Sequence, residues 1–385
     1  MDGTFGHTAK DNNHQAKRSV VGSTFHVLLD YGKHCRIWPY INKHTNELYV
    51  SVGLARSFKA PLCKLLLSRN YGESWDQIAD FQSMDKRNTT TGQPFITTEG
   101  IILIPVWNAG FYTHGATWFA IYRSEDNGSS WKKVYEDMKG TYANHFFQDA
   151  SDGSIYIGVG VGGGGAKDKV RYAPTKSYLL KSADFGVTWQ KVLEVDYPTA
   201  LYGGTAFNGT ILATAREKKA VFRSVDGGNS WFEIYMGNIA RSATYIEELE
   251  KTVVSSNSSI FVSDDGSSWI RIKAPLIGLA LRYPTFYKGQ LYMTGVGYGS
   301  SYVISTNLSK WQVIFDEKER TGNNFFARMA IANDYIFLGG ELNGVLFRVK
   351  ASLCKPRSMS AFQLLRTNLS RSFSLIKRGI RKNET

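Results

Sequence analysis

Short apolar runs, rich in β-branched and aromatic residues and bounded by Gly, Asn, Asp or Ser, recur along most of this chain. They lie at residues 47–52, 101–106, 154–159, 210–214, 251–255, 290–294 and 334–339. Runs of this length between turn-forming residues predict buried β-strands. Similar runs occur at residues 24–30, ahead of the series, and at residues 344–349, behind it. The pattern predicts an all-β chain of many short strands.

A turn-forming segment punctuates these runs six times. Its frame is Ser, then Asp or Asn, Gly, Ser or Thr, and Trp. Full copies are SRNYGESW at 68–75, SEDNGSSW at 124–131, SADFGVTW at 182–189 and SVDGGNSW at 224–231, and shortened copies stand at 263–269 and 305–311. Asp or Asn accepts backbone N–H bonds within a turn, Gly adopts the positive φ that the turn needs, and Trp offers a large apolar surface to a neighbouring unit. The segments therefore predict six similar turns between strands.

These segments resemble the Asp boxes, or BNR repeats, of sialidase-like β-propellers, and the resemblance covers roughly residues 24–350. We call them box turns. The resemblance implies a ring of four-stranded blades in which each box turn joins the third and fourth strands. The last unit, residues 334–349, has no outer strand after it, and residues 24–30 can supply one. We therefore predict a seven-bladed propeller closed by its N-terminal strand, with six blades as the alternative.

The charge is concentrated at one end of the chain. The net charge of the 385 residues is +13, and residues 351–385 hold eight Lys or Arg and one Glu. We predict three regions, namely a disordered segment at 1–22, the propeller at 23–350 and a basic tail at 351–385. A modestly basic propeller with one basic tail argues against nucleic acid as the main partner.

The tail has a helical period. Its apolar residues step by three or four between residues 358 and 382, and basic residues flank them. The apolar positions are Phe362, Leu365, Leu369, Phe373, Ile376 and Ile380. This pattern predicts an amphipathic helix that binds an anionic membrane surface or a protein partner, or that packs back on the propeller.

Other motifs are missing from the sequence. The three cysteines are widely spaced and the seven histidines form no close pair, so we predict no disulfide framework, metal site or cofactor. The glycine-rich residues 161–168 lack the Gly-Lys-Ser/Thr ending of a phosphate loop. The N-terminus has no apolar signal segment, and no apolar run is long enough to span a bilayer. We expect a cytoplasmic protein, with attachment of the tail to a membrane surface as the alternative.

Candidate substrate-binding arginines come from the same resemblance. Arg36, within CRIWP at residues 35–39, resembles the Arg of the sialidase Phe/Tyr-Arg-Ile-Pro motif, which begins a three-arginine clamp on a carboxylate. The match is partial, because Trp38 intrudes and Cys35 replaces the aromatic residue. Later inner segments carry Arg241, Arg282 and Arg328. The resemblance implies that arginines from this set meet on the face opposite the box turns, where they bind an acidic group. The alternative is that they form ion pairs between blades.

The resemblance also implies a Tyr nucleophile assisted by Glu, together with an Asp acid/base. The candidates are Tyr283 or Tyr298, Glu217 or Glu247, and Asp85. None of them lies in a diagnostic local motif, and folds of this type also host proteins without catalytic activity.

Aromatic and polar residues on the insertions complete the predicted site. They are Trp107, His114, His145, Arg171 and Tyr172. His145 lies in YANHFFQD at residues 142–149, which resembles a segment of BNR-repeat proteins associated with glycans; the alternative for each residue is a structural role. We predict a glycoside hydrolase-like or carbohydrate-binding protein for an acidic glycan or polysaccharide. The alternative is a non-catalytic propeller scaffold for protein complexes.

Overall fold

The computed structural model describes most of the predicted propeller. The described residues are 25–32, 34–54, 62–85, 87, 89–108, 118–161, 176–274, 278–297, 300–316, 326–340, 344–354 and 357–358. They form seven antiparallel sheets arranged as the blades of a propeller, which confirms the seven-bladed prediction. The segment at 1–22 and nearly all of the tail lie outside the described residues, so the disordered segment and the amphipathic helix stay predictions.

Each blade runs from an inner strand at the axis to an outer strand at the rim. The first strand of the chain, β1 (Phe25–Asp30), belongs to the last blade. Blade 1 holds β2 (Cys35–Ile41), β3 (Leu48–Leu54), β4 (Cys63–Ser68) and β5 (Asp76–Asp80), followed by the short helix α1 (Phe81–Met84). Blade 2 holds a divided inner strand, β6 (Thr89–Thr91) and β7 (Phe95–Ile96), then β8 (Ile102–Asn108), β9 (Phe119–Ser124) and β10 (Lys132–Asp137). Blade 3 holds β11 (Gly140–Gln148), β12 (Ile155–Val161), β13 (Lys176–Ser182) and β14 (Gln190–Val195).

The remaining blades are more compact. Blade 4 holds β15 (Leu201–Phe207), β16 (Thr210–Ala215), β17 (Ala220–Ser224) and β18 (Phe232–Tyr235). Blade 5 holds β19 (Ser242–Ile246), β20 (Lys251–Ser255), β21 (Ser259–Ser263) and β22 (Ile270–Lys273). Blade 6 holds β23 (Ala280–Tyr287), β24 (Gln290–Gly297), β25 (Ser300–Thr306) and β26 (Trp311–Asp316). Blade 7 holds β27 (Phe326–Ala332), β28 (Tyr335–Gly340) and β29 (Val345–Lys350).

The N-terminal strand closes the ring. Strand β1 pairs antiparallel with β29, and Leu29 is buried in the last blade. The closure continues beyond β1, where Tyr31 N donates to Gly344 O at 2.8 Å. The outer strand of blade 7 is therefore supplied from the other end of the chain, as the sequence predicts.

A short strand from the tail extends blade 6. This strand, β30 (Arg357–Ser358), pairs with the outer strand β26 through Gln312 and Val313. Ser358, where the sequence predicts the start of a helix, is thus part of a strand.

The box turns have the hydrogen bonds that their sequence predicts. In the copy at 224–231, Ser224 Oγ accepts from Gly228 N at 2.9 Å and donates to Asp226 Oδ1 at 2.8 Å. The same carboxylate oxygen accepts from Ser230 N at 2.9 Å, while Gly228 has a φ of 96°. Only glycine adopts such a conformation without strain. The side chain of Trp231 then donates to Val192 O of the preceding blade at 2.7 Å, so the turn also joins two blades.

A basic residue on the third strand of several blades bonds to the box turn of the next blade. The bonds are Arg348 Nη1 to Tyr71 O at 2.8 Å, Arg123 Nε to Phe185 O at 2.9 Å, Lys181 Nζ to Gly227 O at 3.0 Å and Arg223 Nε to Asp265 O at 3.1 Å. Apolar side chains fill the space between neighbouring sheets, in clusters that draw residues from both. These two kinds of contact hold the ring together.

Strand direction separates two faces. The box turns lie at one face, and the inner strands begin at the other, which we call the upper face. The upper face is defined by the strand starts at Cys35, Thr89, Gly140, Leu201, Ser242, Ala280 and Phe326. The turns joining the second and third strands open on this face as well. Among the described residues, no helix combines the length and apolar character needed to cross a bilayer.

Candidate binding site on the upper face

Side chains from four blades meet across the axial channel. The guanidinium carbon of Arg328 lies 3.5 Å from the ring centroid of Tyr283 and 4.5 Å from that of Trp38. The ring of His145 meets Tyr283 edge-on, with centroids 5.6 Å apart and planes at 80°. We call Trp38, His145, Tyr283 and Arg328 the central layer. It brings together inner strands of blades 1, 3, 6 and 7.

The backbone of β23 is distorted to place Tyr283. The register of β23 against β24 shifts between Arg282 and Thr285, and Tyr283 has a φ of 50°. A bulge redirects a side chain, and a left-handed conformation is unfavourable for a bulky residue unless its surroundings hold it. Here Tyr283 N donates to Ser242 Oγ of blade 5 at 3.0 Å. This bond between blades fixes the distorted segment.

His145 packs against the bare backbone of blade 4. A Cβ atom at Gly203 would stand 2.4 Å from His145 Cε1, so only glycine leaves room for the ring. Burial, and secondly repulsion from Arg328, lowers the pKa of His145 to about 3. The imidazole is therefore neutral at neutral pH, and its Nδ1 is buried with no hydrogen-bond partner in the described part of the chain. His145 is a packing residue of the central layer in this structure.

The two predicted arginines nearest the axis are packed on aromatic rings. Arg328 is 2% exposed, and its Nη1 donates to Gln93 Oε1 at 3.3 Å. Gln93 in turn donates to Pro39 O at 2.9 Å. Arg36 is also buried, with its guanidinium carbon 5.7 Å from the centroid of Trp38. The structure thus brings both arginines to Trp38, Arg36 from the same strand of blade 1 and Arg328 from blade 7.

A second group of arginines lies beside the central layer. Arg216 stands on the turn between β16 and β17, Arg241 directly precedes β19, and Arg282 lies on β23. Blades 4 and 5 are joined here by a bond from Thr214 Oγ1 to Arg241 O at 3.1 Å. Blades 5 and 6 are joined by the bond between Tyr283 and Ser242, the neighbours in sequence of Arg282 and Arg241. We call Arg216, Arg241 and Arg282 the arginine cluster.

The arginine cluster concentrates positive charge. Burial, followed by repulsion from Arg216 and Arg282, lowers the pKa of Arg241 to about 10, so this guanidinium stays charged at neutral pH. Its Nε and Nη2 donate to the neutral amide oxygen of Asn257 at 3.2 and 2.8 Å. The Nε of Arg282 is buried with no acceptor among the described residues. The acceptor of Arg241 is thus a neutral amide, and Arg282 keeps one donor without an acceptor among the described residues.

Glu217 contacts this cluster through Arg216. Its Oε1 lies 3.2 Å from Arg216 Nη1, and its Oε2 accepts from Ala200 N at 2.8 Å. Arg216 Nη1 also donates to Tyr202 OH at 3.1 Å, with the guanidinium carbon 5.0 Å from the ring centroid. The structure therefore places Glu217 beside Arg216, where it orients that side chain and offsets part of the charge.

Asp85 lies in a separate ion pair between blades 1 and 2. Its Oδ2 is 2.5 Å from Arg87 Nη2 and 3.5 Å from Lys133 Nζ, and it accepts from Tyr122 OH at 3.3 Å. The hydrogen bond from Arg87, which outweighs the opposing effect of burial, lowers the pKa of Asp85 to about 2. A carboxyl that stays ionised at neutral pH is a poor proton donor. This environment conflicts with the predicted role of Asp85 as acid/base.

The other predicted residues have three different outcomes. Trp107 is 1% exposed and packs 6.2 Å from Trp38 between ring centroids, so it is part of the core. Glu247 lies in a 3₁₀ turn, Glu247–Leu249, between the first and second strands of blade 5, which places it on the box-turn face. It cannot reach the central layer. His114, Arg171, Tyr172 and Tyr298 lie outside the described residues, so their roles stay predictions.

Sequence reasoning missed several residues of this region. They are Gln93, Tyr202, Arg216 and Asn257. Arg216 had a usable signal, because it lies just after the strand predicted at residues 210–214, where a turn is expected. Gln93 and Asn257 had none, since Gln93 bonds to residues of other blades and Asn257 bonds to Arg241, which lies 16 positions earlier in the chain. Within the described residues, no cluster of His, Cys, Asp and Glu is arranged to hold a metal ion.

The comparisons with known proteins support the fold. No protein-family model and no curated protein sequence matches this chain. Solved structures do match, and one of them is YCF48 bound to D1 peptide, with a TM-score of 0.55 and 13% identity over 86% of this chain and 96% of that one. Virginiamycin B lyase from Staphylococcus aureus matches with a TM-score of 0.55 and 10% identity, over 85% and 99% of the two chains. A prolyl endopeptidase matches with a TM-score of 0.54 and 12% identity, over 86% of this chain and 50% of that one.

These similarities concern architecture alone, because the identities are so low. They show a β-propeller whose structural neighbours carry out unrelated tasks. They do not confirm the sialidase-like family, and they do not support the predicted glycan ligand. Function has to be argued from the upper face itself.

Proposed function

We propose that this protein is a non-catalytic interaction scaffold that binds a protein segment through its upper face. The observation that carries the proposal is the concentration of Tyr and Arg side chains on blade 4 and its neighbours. These two residue types, with Trp, dominate the energetically important positions of protein interfaces. Tyr supplies a large rigid surface with a polar end, and Arg supplies several hydrogen-bond donors.

The same surface reaches the rim of blade 4. Tyr235 is 69% exposed at the upper end of β18, and Tyr197 is 44% exposed on the loop before β15. Lys218 Nζ lies 5.2 Å from the ring centroid of Tyr197 and 2.9 Å from Glu233 Oε1. Lys218 follows Arg216 by two residues, so the rim is continuous with the arginine cluster. A partner would therefore meet aromatic and charged groups along one track from the rim inward.

The structural neighbours support a protein partner more than a sugar. YCF48 has this fold and its structure holds a D1 peptide, so the architecture is compatible with a bound polypeptide. A hydrolase has less support, because Asp85 is held ionised by Arg87 and Glu217 is engaged by Arg216 and Ala200. A set of catalytic groups around Tyr283 does not assemble from the described candidates.

Site-specific cross-linking tests the proposal. A photoreactive amino acid replaces Tyr235 on the upper face, and in a matched protein it replaces Val225, which is 52% exposed on a box turn. We expect covalent adducts with one defined protein from position 235 and none from position 225, read by mass spectrometry after irradiation of cells that naturally contain the protein. Equal adducts at both positions, or none at either, would contradict it. So would hydrolysis of fluorogenic sialosides or uronides that is lost in the Tyr283→Phe variant.

A further inference from the structure

The chemistry of the arginine cluster specifies the partner more closely. We propose that Arg216, Arg241 and Arg282 bind side-chain carboxylates of an acidic run in the partner segment. This inference rests on the proposed function, since it assigns a ligand group to the same face. It concerns three cationic side chains contributed by three consecutive blades.

The first argument is convergence. Backbone and hydroxyl groups at the cluster are joined between blades, through Thr214 to Arg241 and through Tyr283 to Ser242. These bonds hold the backbone segments that carry the three arginines next to one another on the upper face. Like charges held together repel one another, and the pKa of Arg241 is lowered first by its burial and then by the repulsion from Arg216 and Arg282. A bound anion relieves it.

The second argument is the balance of charges. Arg216 already pairs with the carboxylate of Glu217. Arg241 bonds there to the neutral Asn257, and the buried Nε of Arg282 has no acceptor. Arg241 and Arg282, in two neighbouring blades, each leave donors for an incoming carboxylate. An acidic run meets that requirement better than a single chain terminus.

The third argument distinguishes a polypeptide from other polyanions. Arg241 and Arg282 are half-buried, so an extended chain can reach them while a flat bilayer or a duplex is held back at the surface. The planar guanidinium forms paired hydrogen bonds with a carboxylate. Tyr202 and Tyr283 stand close enough to Arg241 to influence its pKa, so they border the same site with aromatic surface. Carboxylate and apolar groups alternate readily along a peptide.

Fluorescence anisotropy with a defined probe tests the inference. The probe is fluorescein-labelled hexaglutamate with an amidated C-terminus, at about 150 mM salt so that distant charges are screened. We expect saturable binding to the wild-type protein and an affinity at least tenfold lower for the double variant R241Q/R282Q. The matched control is R271Q/K273Q, which removes two positive charges from exposed positions of β22. Its affinity should change by less than twofold.

Three outcomes would overturn the carboxylate site. These are no binding to the wild-type protein, equal weakening by both double variants, and displacement of the probe by inorganic phosphate at micromolar concentration. The unfolding midpoint of each variant verifies that it folds. Cross-linking at position 235 separates the two proposals. Adducts that persist unchanged in R241Q/R282Q would refute the carboxylate site and leave the scaffold proposal standing, whereas absent adducts in the wild-type protein would refute the scaffold proposal.

Discussion

At the scale of single residues, neighbouring charges decide what each ionisable group can do. Asp85 is adjacent to Arg87 and stays ionised, with its pKa lowered to about 2. The pKa of His145 is lowered to about 3, because its ring is buried and also lies near the positive charge of Arg328. Arg241 stays charged despite burial and two neighbouring arginines. The upper face therefore offers stable cations, and its carboxylate and imidazole groups serve packing and pairing.

Replacement of Asp85 tests the ion pair with Arg87. Asp85→Asn should lower the free energy of unfolding by about 2 kcal/mol at neutral pH, since a carboxyl titrates near 3.9 when unfolded and near 2 here. A depressed pKa stabilises the fold above the unfolded value, and this stabilisation disappears as the pH falls through the folded value. The difference between wild type and variant should be constant above about pH 5 and shrink toward pH 2. Urea unfolding at several pH values measures it.

The matched control is Asp76→Asn. Asp76 pairs with Arg69 on the surface, with 67% of its side chain exposed. Such pairs contribute roughly 0 to 1 kcal/mol, so this variant should be nearly as stable as the wild type. A pH-independent loss of stability in Asp85→Asn would show that the effect is not electrostatic.

At the scale of elements, the box turns connect blades as well as strands. In the copies at 182–189 and 224–231 the Ser and Asp side chains close the turn internally, and four of the box turns present a carbonyl to a basic side chain of the preceding blade. The tryptophan then packs across the same boundary, as Trp231 does on blade 3. The repeated sequence therefore builds the joints of the ring.

Removing one of these connecting side chains should weaken the ring. Arg123 is 9% exposed and donates to Phe185 O of blade 3 at 2.9 Å. Arg123→Met leaves that carbonyl without its charged donor, and hydrogen bonds to charged groups contribute about 1.5–3 kcal/mol. We expect a loss of this size in urea unfolding. Arg69→Met is the control, because Arg69 is 58% exposed in surface ion pairs and should cost less than about 1 kcal/mol. Equal losses would show that Arg123 has no special role.

At the scale of the whole molecule, strands from outside the regular blade order cover the outer edges of two blades. Strand β1 covers the outer edge of blade 7, and β30 covers that of blade 6. Closure also sets the distance between inner strands, so that side chains of four blades reach the central layer. The proposed binding surface on blade 4 therefore depends on contacts made on the far side of the ring.

Deleting the closing strand should open the ring. A protein lacking residues 1–30 loses the burial of Leu29 and the pairing of β1 with β29. We expect a loss of at least about 3 kcal/mol of unfolding free energy, from apolar burial and lost strand bonds together. The exposed edge of blade 7 should also promote association, visible by size-exclusion chromatography. A protein lacking only residues 1–22 keeps β1 and should behave as the full chain; equal behaviour of both deletions would contradict ring closure.

The sequence by itself determined the architecture, because strands and box turns are specified by residues close together in the chain. The second strand of each of the seven blades, the six turns and the closing role of residues 24–30 all follow from local patterns. The site depends on contacts that no local pattern contains, such as the bond between Arg328 and Gln93, which are 235 residues apart. Only the tertiary structure buried Trp107, paired Asp85 with Arg87 and Lys133, and brought Arg216 to Arg241 and Arg282. Ring closure decides which distant side chains become neighbours, and those neighbours set their charge and exposure.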